Sequence, residues 1–121
     1  MRTIYIFLDD ERFPNENTFP DAGDNMISIC RMVTQARSVM NRYDHYHKFV
    51  ISFDHDLGAN EPTGYDFAKW LVESDMDGIE FLNEHFEFYV HSQNPIGKAN
   101  IEGLLNGYLD SKRNLKRENN S

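Results

Sequence analysis

The chain contains a single cysteine, Cys30, among its 121 residues. An intramolecular disulfide is therefore impossible, and a zinc site built on several cysteine ligands is excluded. Cys30 lies in the apolar segment 26–30, so we expect a buried and unreactive thiol. No hydrophobic run approaches the length of a membrane-spanning helix, and the N-terminus leads into a predicted strand without a signal-peptide pattern. These absences predict a cytoplasmic protein with no membrane partner.

Positive charge is also scarce, with 12 lysine and arginine residues against 20 aspartate and glutamate residues and a net charge of −8. Duplex nucleic acid is bound through cationic contacts to phosphate, so this balance argues against such a partner. A small anionic ligand stays compatible with it, because a metal ion and a few cations invert the field inside a pocket. The sequence also lacks the glycine-rich phosphate loop of nucleotide hydrolases and the nucleophile elbow of serine hydrolases.

The length and the hydrophobic content of 40% predict one globular domain, residues 1–111. Residues 112–121 are charged and rich in asparagine, and we expect a flexible tail there. Within the domain, the apolar patterns predict alternating strands and helices. In chain order these are strand 3–8, strand 27–31, helix 34–43, strand 48–53, a helix after Thr63, strand 86–91 and a helix from Pro95.

This order of elements is typical of an α/β domain with an open, mostly parallel sheet. Strands 3–8 and 48–53 are near-continuous apolar runs, which indicates that both are central and buried. Strand 86–91 alternates apolar and polar residues, as a half-exposed edge strand does. We therefore predict a small doubly wound sheet of order 2-1-3-4, flanked by helices. Its ligand site should lie where the strand order reverses, between the first and third strands.

Four acidic side chains follow the two central strands at this reversal point. Asp9 and Asp10 follow the first strand, and Asp54 and Asp56 follow the third. Repulsion between unit charges ~4 Å apart costs on the order of 1–4 kcal/mol, and a divalent cation offsets that cost. Carboxylate oxygens suit Mg²⁺ or Mn²⁺, so these four residues are the predicted metal ligands. Turn capping is the alternative for each pair, and it is the better explanation of Asp9 and Asp10 taken alone.

The segment after strand 86–91 combines anion-binding groups with a predicted helix start. Asn94 and Pro95 are typical of an N-cap and a first helical residue, and the free amides of a helix N-terminus attract anions. Ser92 and Asn94 add hydrogen-bonding groups and Lys98 adds a cation, so these three are candidate phosphate ligands. Simple capping by Ser92 or Asn94 is the alternative.

Two histidines lie at predicted strand ends, His55 after the third strand and His91 in the fourth. Histidine titrates near neutral pH, so both are candidate general acids or bases, although a structural role is more common for a single histidine near a strand. Asp54 is a candidate nucleophile through an aspartyl phosphate. Arg12 and Arg31 are candidate phosphate ligands at the same rim, and ordinary surface ion pairs would explain them equally well. The other histidines are expected at the surface: His45, His47 and His85.

Four segments together resemble the cyclic-phosphate-processing receiver-like family, over roughly residues 3–105. They are residues 8–12 (LDDER), 52–58 (SFDHDLG), 63–66 (TGYD) and 91–97 (HSQNPIG). The resemblance implies a receiver-like, or flavodoxin-like, fold related to the receiver domains of two-component signalling. It also implies a role in processing cyclic phosphates, at RNA ends or in nucleotide-derived metabolites.

Compared with ordinary receiver domains, Asp9, Asp10 and Asp54 match the acids that bind Mg²⁺, and Asp54 falls at the phosphoacceptor position. Ser92 lies near the usual threonine or serine. The sequence departs from the receiver pattern in two elements, because a fifth strand with its lysine is missing and a proline-containing loop replaces the helix between the first two strands. Three residues are additions that an ordinary receiver does not need: His55, Asp56 and His91.

Three hypotheses about function follow. The first is a metal-dependent phosphoesterase, a hydrolase that opens a cyclic phosphate or cleaves a small phosphorylated substrate. The second is a non-catalytic receiver-like module that accepts phosphate on Asp54, or binds an anion, and signals to a partner. The third is a small structural or inhibitory protein. The sequence predicts no oligomeric state.

Overall fold

The computed structural model describes residues 2–43 and 47–119. In chain order its elements are β1 (Thr3–Leu8), β2 (Ile27–Cys30), α1 (Val33–Arg42), β3 (Lys48–Phe53), α2 (Gly64–Met76), β4 (Glu87–Val90) and α3 (Pro95–Asn119). Every predicted strand and helix is present, and the main difference lies at the end of α3. The prediction for His45 lies outside the described residues. No helix in this part of the chain has both the length and the apolar composition needed to cross a membrane.

The four strands form one parallel sheet of order β2-β1-β3-β4. This order confirms the predicted receiver-like α/β fold. The strands are added on one side of β1 first (β2) and then on the other side (β3 and β4), so the strand order reverses between β1 and β3. Leu8 lies beside both Cys30 and Phe53 in the register, and Phe53 lies beside Val90. All four strands therefore end at one edge, which we call the carboxyl edge, and the residues that follow them are brought together there.

One face of the sheet carries the main hydrophobic core. Alternate residues of the central strands, such as Ile6 and Ile51, are fully buried there with residues of all three helices. Leu71 of α2 and Ile101 of α3 have no exposed surface, because apolar residues at helical spacing line the inner sides of these helices. Burial of each such side chain contributes about 1.5–3 kcal/mol. This packing fixes the starts of α2 and α3 next to the carboxyl edge.

The opposite face of the sheet is covered by the loop between β1 and β2. Tyr5, Phe7 and Val50 lie on this side and pack with Phe19 and Ala22 of the loop. The predicted fold class is confirmed, and all three helices pack on the face that carries the first core. Prolines and asparagines prevent a helix in this loop, and its buried aromatic residue supplies the apolar cover instead.

Both helices that begin at the carboxyl edge have polar caps. The Thr63 hydroxyl accepts a hydrogen bond from the N–H of Asp66, and the Asp66 carboxylate accepts one from the N–H of Thr63. This reciprocal pair is a capping box. At the start of α3, the Asn94 side-chain oxygen accepts from the N–H of Gly97 at 3.0 Å, which confirms the predicted N-cap.

Helix α3 continues to Asn119 and so includes residues 112–119 of the segment 112–121 for which the sequence predicts a tail. Lysine, arginine and leucine in this segment are good helix formers. Lys112 is also tied to α2 by an ion pair of 2.8 Å with the buried carboxylate of Asp75. The same carboxylate accepts hydrogen bonds from the Tyr108 hydroxyl at 2.6 Å and from the N–H of Leu82 at 3.0 Å. These contacts extend the packed part of α3 beyond the apolar stripe that the sequence shows.

Candidate metal and phosphate site

Backbone hydrogen bonds bring three predicted site residues side by side at the carboxyl edge. Asp9, Asp54 and His91 donate their backbone N–H groups to the last residues of β2, β1 and β3, at 3.0, 2.9 and 3.0 Å. One carboxylate oxygen of each aspartate and one ring nitrogen of His91 all lie within 4.8 Å of one another. We call these three residues the site cluster. The predicted convergence of acids from the first and third strands is therefore present for one acid of each pair.

The side chain of Asp9 has no exposed surface and makes four polar contacts. One oxygen accepts from the N–H groups of Glu11 at 3.0 Å and Arg12 at 2.8 Å, which closes a turn directly after β1. The other oxygen lies 2.8 Å from Nε of Arg12 and 3.0 Å from Nε2 of His91. Burial alone would raise the pKa of Asp9, but the backbone bonds, His91 and the charge of Arg12 together hold that pKa below its usual value.

The guanidinium of Arg12 contacts both carboxylates of the site cluster. Its Nε lies 2.8 Å from Asp9, and a terminal nitrogen lies 3.4 Å from Asp54. The side chain of Arg12 is 42% exposed, whereas those of the two aspartates are 0% and 7% exposed. Arg12 therefore offsets the repulsion between two buried carboxylates and presents positive charge to solvent at the same place. This is the geometry expected of a residue that meets an incoming phosphate.

Asp54 is held in position by a very close approach of α2. Its carboxylate accepts from the N–H of His55 at 2.8 Å. The His55 carbonyl oxygen accepts from the N–H of Gly64, the first residue of α2, at 2.9 Å. A Cβ atom at Gly64 would lie 1.9 Å from the Asp54 carbonyl oxygen, so only glycine fits at this point. Arg12 supplies the one ion pair of Asp54 in the described part of the chain, and no lysine reaches it there.

The ring of His91 is fixed on three sides. It stacks on Phe7 with 4.7 Å between ring centroids and 7° between ring planes. Nδ1 lies 2.7 Å from the Ser52 hydroxyl, and Nε2 lies 3.0 Å from the Asp9 carboxylate. Burial lowers the pKa of His91, although the neighbouring carboxylates of Asp9 and Asp54 act in the opposite direction. The neutral imidazole is therefore favoured near neutral pH.

Ser52 is a site residue that the sequence reasoning missed. It is 1% exposed and lies in the middle strand β3, where every neighbour in the chain from Phe49 to Phe53 is apolar. The signal was a lone hydroxyl in this apolar run, two residues before Asp54 and so on the same side of the strand. Recognising its partner required the register between β3 and β4 and the direction of the His91 ring, which the predicted strand order does not give.

Two of the four predicted metal ligands lie outside the site cluster. Asp10 and Asp56 are both exposed, in contrast to the buried Asp9 and Asp54. Asp56 instead accepts a hydrogen bond of 3.2 Å from the side-chain amide of Asn94, which joins the loop after β3 to the start of α3. The structure thus brings one acid of each predicted pair into the cluster and leaves the other at the surface.

His55 lies against the first turn of α3 and apart from the site cluster. A Cβ atom at Gly97 would lie 2.3 Å from Cγ of His55, so the ring fills the space above this glycine. Its Nδ1 is buried without a hydrogen-bond partner among the described residues, and Nε2 lies 4.0 Å from the Asp56 carboxylate. A packing role accounts for the contact with Gly97, and His91 is the histidine that lies in the site cluster.

The start of α3 carries the remaining predicted phosphate ligands. The Ser92 hydroxyl accepts from the N–H of Asn94 at 3.1 Å, and Asn94 in turn caps the helix. Lys98 is exposed, and its ammonium forms no ion pair within the described ranges. The Ser92 and Asn94 side-chain oxygens thus both accept backbone N–H groups, one before α3 and one in its first turn, and Lys98 supplies the exposed cation here.

Arg31 supports the loop that carries Arg12. It donates hydrogen bonds to the carbonyl oxygens of Asp9 and Arg12, at the turn after β1. Its guanidinium also lies over the ring of Phe13, 4.6 Å from the centroid. Arg31 thus lies at the turn after β1, and its hydrogen bonds hold the backbone that carries Arg12.

The fold and the site define a receiver-like domain with a buried acid–histidine cluster at the carboxyl edge. The profile of a family described as "Cyclic-phosphate processing Receiver domain" matches residues 4–107, which include every strand residue except Thr3 and all three residues of the site cluster. The chain belongs to this family. No curated protein and no solved structure matches this chain.

Proposed function

We propose that this protein is a metal-dependent phosphoesterase that opens a cyclic phosphate of a small molecule or of an RNA end. The observation that carries the proposal is the site cluster, in which three ligand atoms lie within 4.8 Å of one another beside the half-exposed guanidinium of Arg12. A phosphoacceptor needs the carboxylates but has no use for a buried, doubly hydrogen-bonded histidine. The cyclic-phosphate association of the family supports the substrate class.

The donor set of the site cluster suits a divalent cation. Asp9 and Asp54 would hold it, and the lowered pKa of Asp9 keeps that carboxylate ionised at neutral pH. Two carboxylates with an imidazole suit Mn²⁺, whereas Mg²⁺ would use the carboxylates and water, since it prefers oxygen ligands. When bound, the ion supplies a Lewis acid for a phosphoryl oxygen and lowers the pKa of a coordinated water.

The chain's own residues bind the phosphate and move the proton. Arg12 would bind the phosphoryl oxygens, with the exposed ammonium of Lys98 as a second cation. Hydrolysis forms a bond between water oxygen and phosphorus, breaks one ring P–O bond, and moves one proton from the water to the leaving oxygen. His91 faces the cluster through Nε2, where the ring can give or take that proton.

The test is phosphorus NMR of the purified protein with a panel of cyclic phosphates, with and without Mg²⁺ or Mn²⁺. We expect the cyclic resonance to be replaced by that of a monoester only when metal is present. Asp54→Asn should reduce turnover on the order of a hundredfold, as loss of one electrostatic contact in a site does. Asp10→Asn changes an exposed acid beside the cluster and should keep wild-type turnover. Absence of turnover on every cyclic and linear substrate would contradict the proposal.

A receiver-like phosphoacceptor is the second candidate, and the observation that favours it is the position of Asp54 at the end of β3. Incubation with acetyl phosphate should label the protein in this case, and Asp54→Asn should abolish the label. Labelling without turnover of cyclic phosphates would select this function. The lack of a lysine contact to Asp54 in the described residues weighs against the usual receiver switch.

A further inference from the structure

We infer that Ser52 is the positioning residue of His91: its hydroxyl holds the ring in register with Asp9 and lets the ring carry its hydrogen on either nitrogen. This inference rests on the proposed function, because it assigns a role to His91 in the same site. It starts from a buried hydroxyl whose single side-chain partner in the described residues is Nδ1 of His91, at 2.7 Å.

Burying a hydroxyl at position 52 costs free energy unless the hydroxyl is hydrogen-bonded. The residue is 1% exposed, in one of the two central strands of the sheet, on the face formed by Tyr5, Phe7 and Val50. An apolar residue would satisfy the packing there, and an unpaired buried hydroxyl would be unfavourable. The bond to His91 is therefore the physical reason for serine at this place.

The bond fixes the one degree of freedom that the remaining contacts leave open. Stacking on Phe7 sets the plane of the His91 ring, with 7° between the two planes, but a 180° flip about the Cβ–Cγ bond keeps that plane and exchanges ring nitrogens with ring carbons. Hydrogen bonds at both ring nitrogens, one to Ser52 and one to Asp9, select one of these two orientations. Without Ser52, only the contact to Asp9 would determine where Nε2 points.

A hydroxyl is also the group that serves both tautomers of the ring. The Asp9 carboxylate can only accept, so in the metal-free protein Nε2 carries the hydrogen and Ser52 donates to Nδ1. When Nε2 is to act as a metal ligand or base, the hydrogen must be on Nδ1, and Ser52 then accepts it. Rotation about the Cβ–Oγ bond exchanges these roles with no heavy atom moved. Partners of this kind determine which nitrogen of a histidine is free to react.

The test compares Ser52→Ala with Ser52→Thr, which retains a hydroxyl, and with Ser74→Ala. Ser74 is a buried serine of α2 at 8% exposure and lies outside the site cluster, so it controls for loss of a buried hydroxyl. The first readout is the nitrogen NMR signature of His91 in metal-free protein. The second is Mn²⁺ affinity, measured from the spin-resonance signal of the free ion. Neither depends on turnover.

Wild type should show a single tautomer with hydrogen on Nε2 and a hydrogen-bonded Nδ1. Ser52→Ala should shift the Nδ1 resonance to that of a nitrogen without a donor, and it should weaken Mn²⁺ binding by about 10–100-fold. Ser52→Thr should restore both properties to within a few-fold, and Ser74→Ala should leave both unchanged. Should Ser52→Ala fail to fold, Ser52→Cys keeps the volume with a weaker donor, and its Mn²⁺ affinity should fall below that of Ser52→Thr.

An Nδ1 resonance and a Mn²⁺ affinity that are unchanged in Ser52→Ala, or equal affinities in the Cys and Thr variants, would overturn the inference. Ser52 would then only fill space. Failure of the proposed function gives a different result. In that case the tautomer and affinity effects of Ser52 persist while no cyclic phosphate is turned over.

Discussion

Arg12 balances the charge of the site cluster and also faces solvent. It lies against both buried carboxylates of the cluster and remains 42% exposed. A divalent cation at Asp9 and Asp54 would compete with the guanidinium for the carboxylate oxygens. Release of Arg12 from those oxygens would leave it available to phosphate, which couples the two binding events.

Arg12→Ala should therefore raise the affinity for Mn²⁺ and lower the affinity for a phosphate ligand. Exposed ion pairs contribute up to about 1 kcal/mol, so the gain in metal affinity should be roughly fivefold. Calorimetric titration with Mn²⁺ and then with inorganic phosphate measures both changes. Arg113→Ala is the control, because Arg113 pairs with Asp110 on an exposed part of α3. Weaker Mn²⁺ binding in Arg12→Ala would show that Arg12 does not compete with the ion.

The lowered pKa of His91 makes stability depend on pH. Below its ordinary pKa near 6.5, the unfolded chain binds a proton at this residue more readily than the folded protein does. The contribution of His91 to the free energy of unfolding is thus complete above about pH 6.5. It is lost as pH falls towards the lower pKa that His91 has in the folded protein. Urea unfolding of metal-free protein from about pH 7 to about pH 5 should show this loss, with a shallower slope in His91→Gln.

His85→Gln is the matched control for this series, because His85 is exposed and lies outside the site cluster. Equal slopes in wild type and His91→Gln would mean that His91 does not contribute to the pH dependence.

Two glycines of helix α3, Gly97 and Gly103, have different surroundings. At Gly97, in the first turn, a Cβ atom would meet the His55 ring at 2.3 Å, whereas at Gly103 it would meet nothing within 4 Å. Gly97 is thus the point of close packing between α3 and the loop after β3, which carries Asp54. Helix periodicity alone does not distinguish the two glycines, because the contact depends on a loop that is distant in the chain.

Gly97→Ala and Gly103→Ala should change stability in opposite directions. Overpacking against His55 should cost about 1–3 kcal/mol of unfolding free energy in Gly97→Ala. Gly103→Ala removes a flexible residue from a helix interior with no clash, and it should add about 0.5–1 kcal/mol. Urea unfolding of both variants gives the comparison. A stabilised Gly97→Ala would show that the ring of His55 moves aside without cost.

At the end of the sheet opposite the site, hydrogen bonds to one carboxylate join α2, α3 and the loop before β4. Asp75 of α2 accepts bonds from Tyr108 and Lys112 of α3 and from the N–H of Leu82 in the loop before β4. Its side chain is 3% exposed, and burial together with this carboxylate raises the pKa of Tyr108. One carboxylate thus connects two helices and the approach to the edge strand.

Asp75→Ala should destabilise the protein and leave the site intact. Loss of charge-assisted bonds to a buried carboxylate should lower the free energy of unfolding by about 3 kcal/mol. Mn²⁺ affinity of the folded protein should stay within about twofold of wild type, because no residue of the site cluster contacts Asp75. Urea unfolding and metal titration measure the two quantities. Asp77→Ala, at an exposed position after α2, is the control, and equal stability of the two variants would contradict the assigned role.

The order of strands and helices followed from the chain's apolar periodicity, because burial on one or two faces is a local property of a strand. The 2-1-3-4 sheet followed from that order and from the right-handed crossovers of parallel strands. The same patterns placed Asp9, Asp54 and His91 at one edge, since parallel strands must end together. Three features depended on contacts between segments far apart in the chain. These are the burial of one acid in each pair, the bridge formed by Arg12, and the hydrogen bond from Ser52 to His91. Side-chain direction at a strand end is set by the neighbouring strand and loop, so only the assembled sheet decides it.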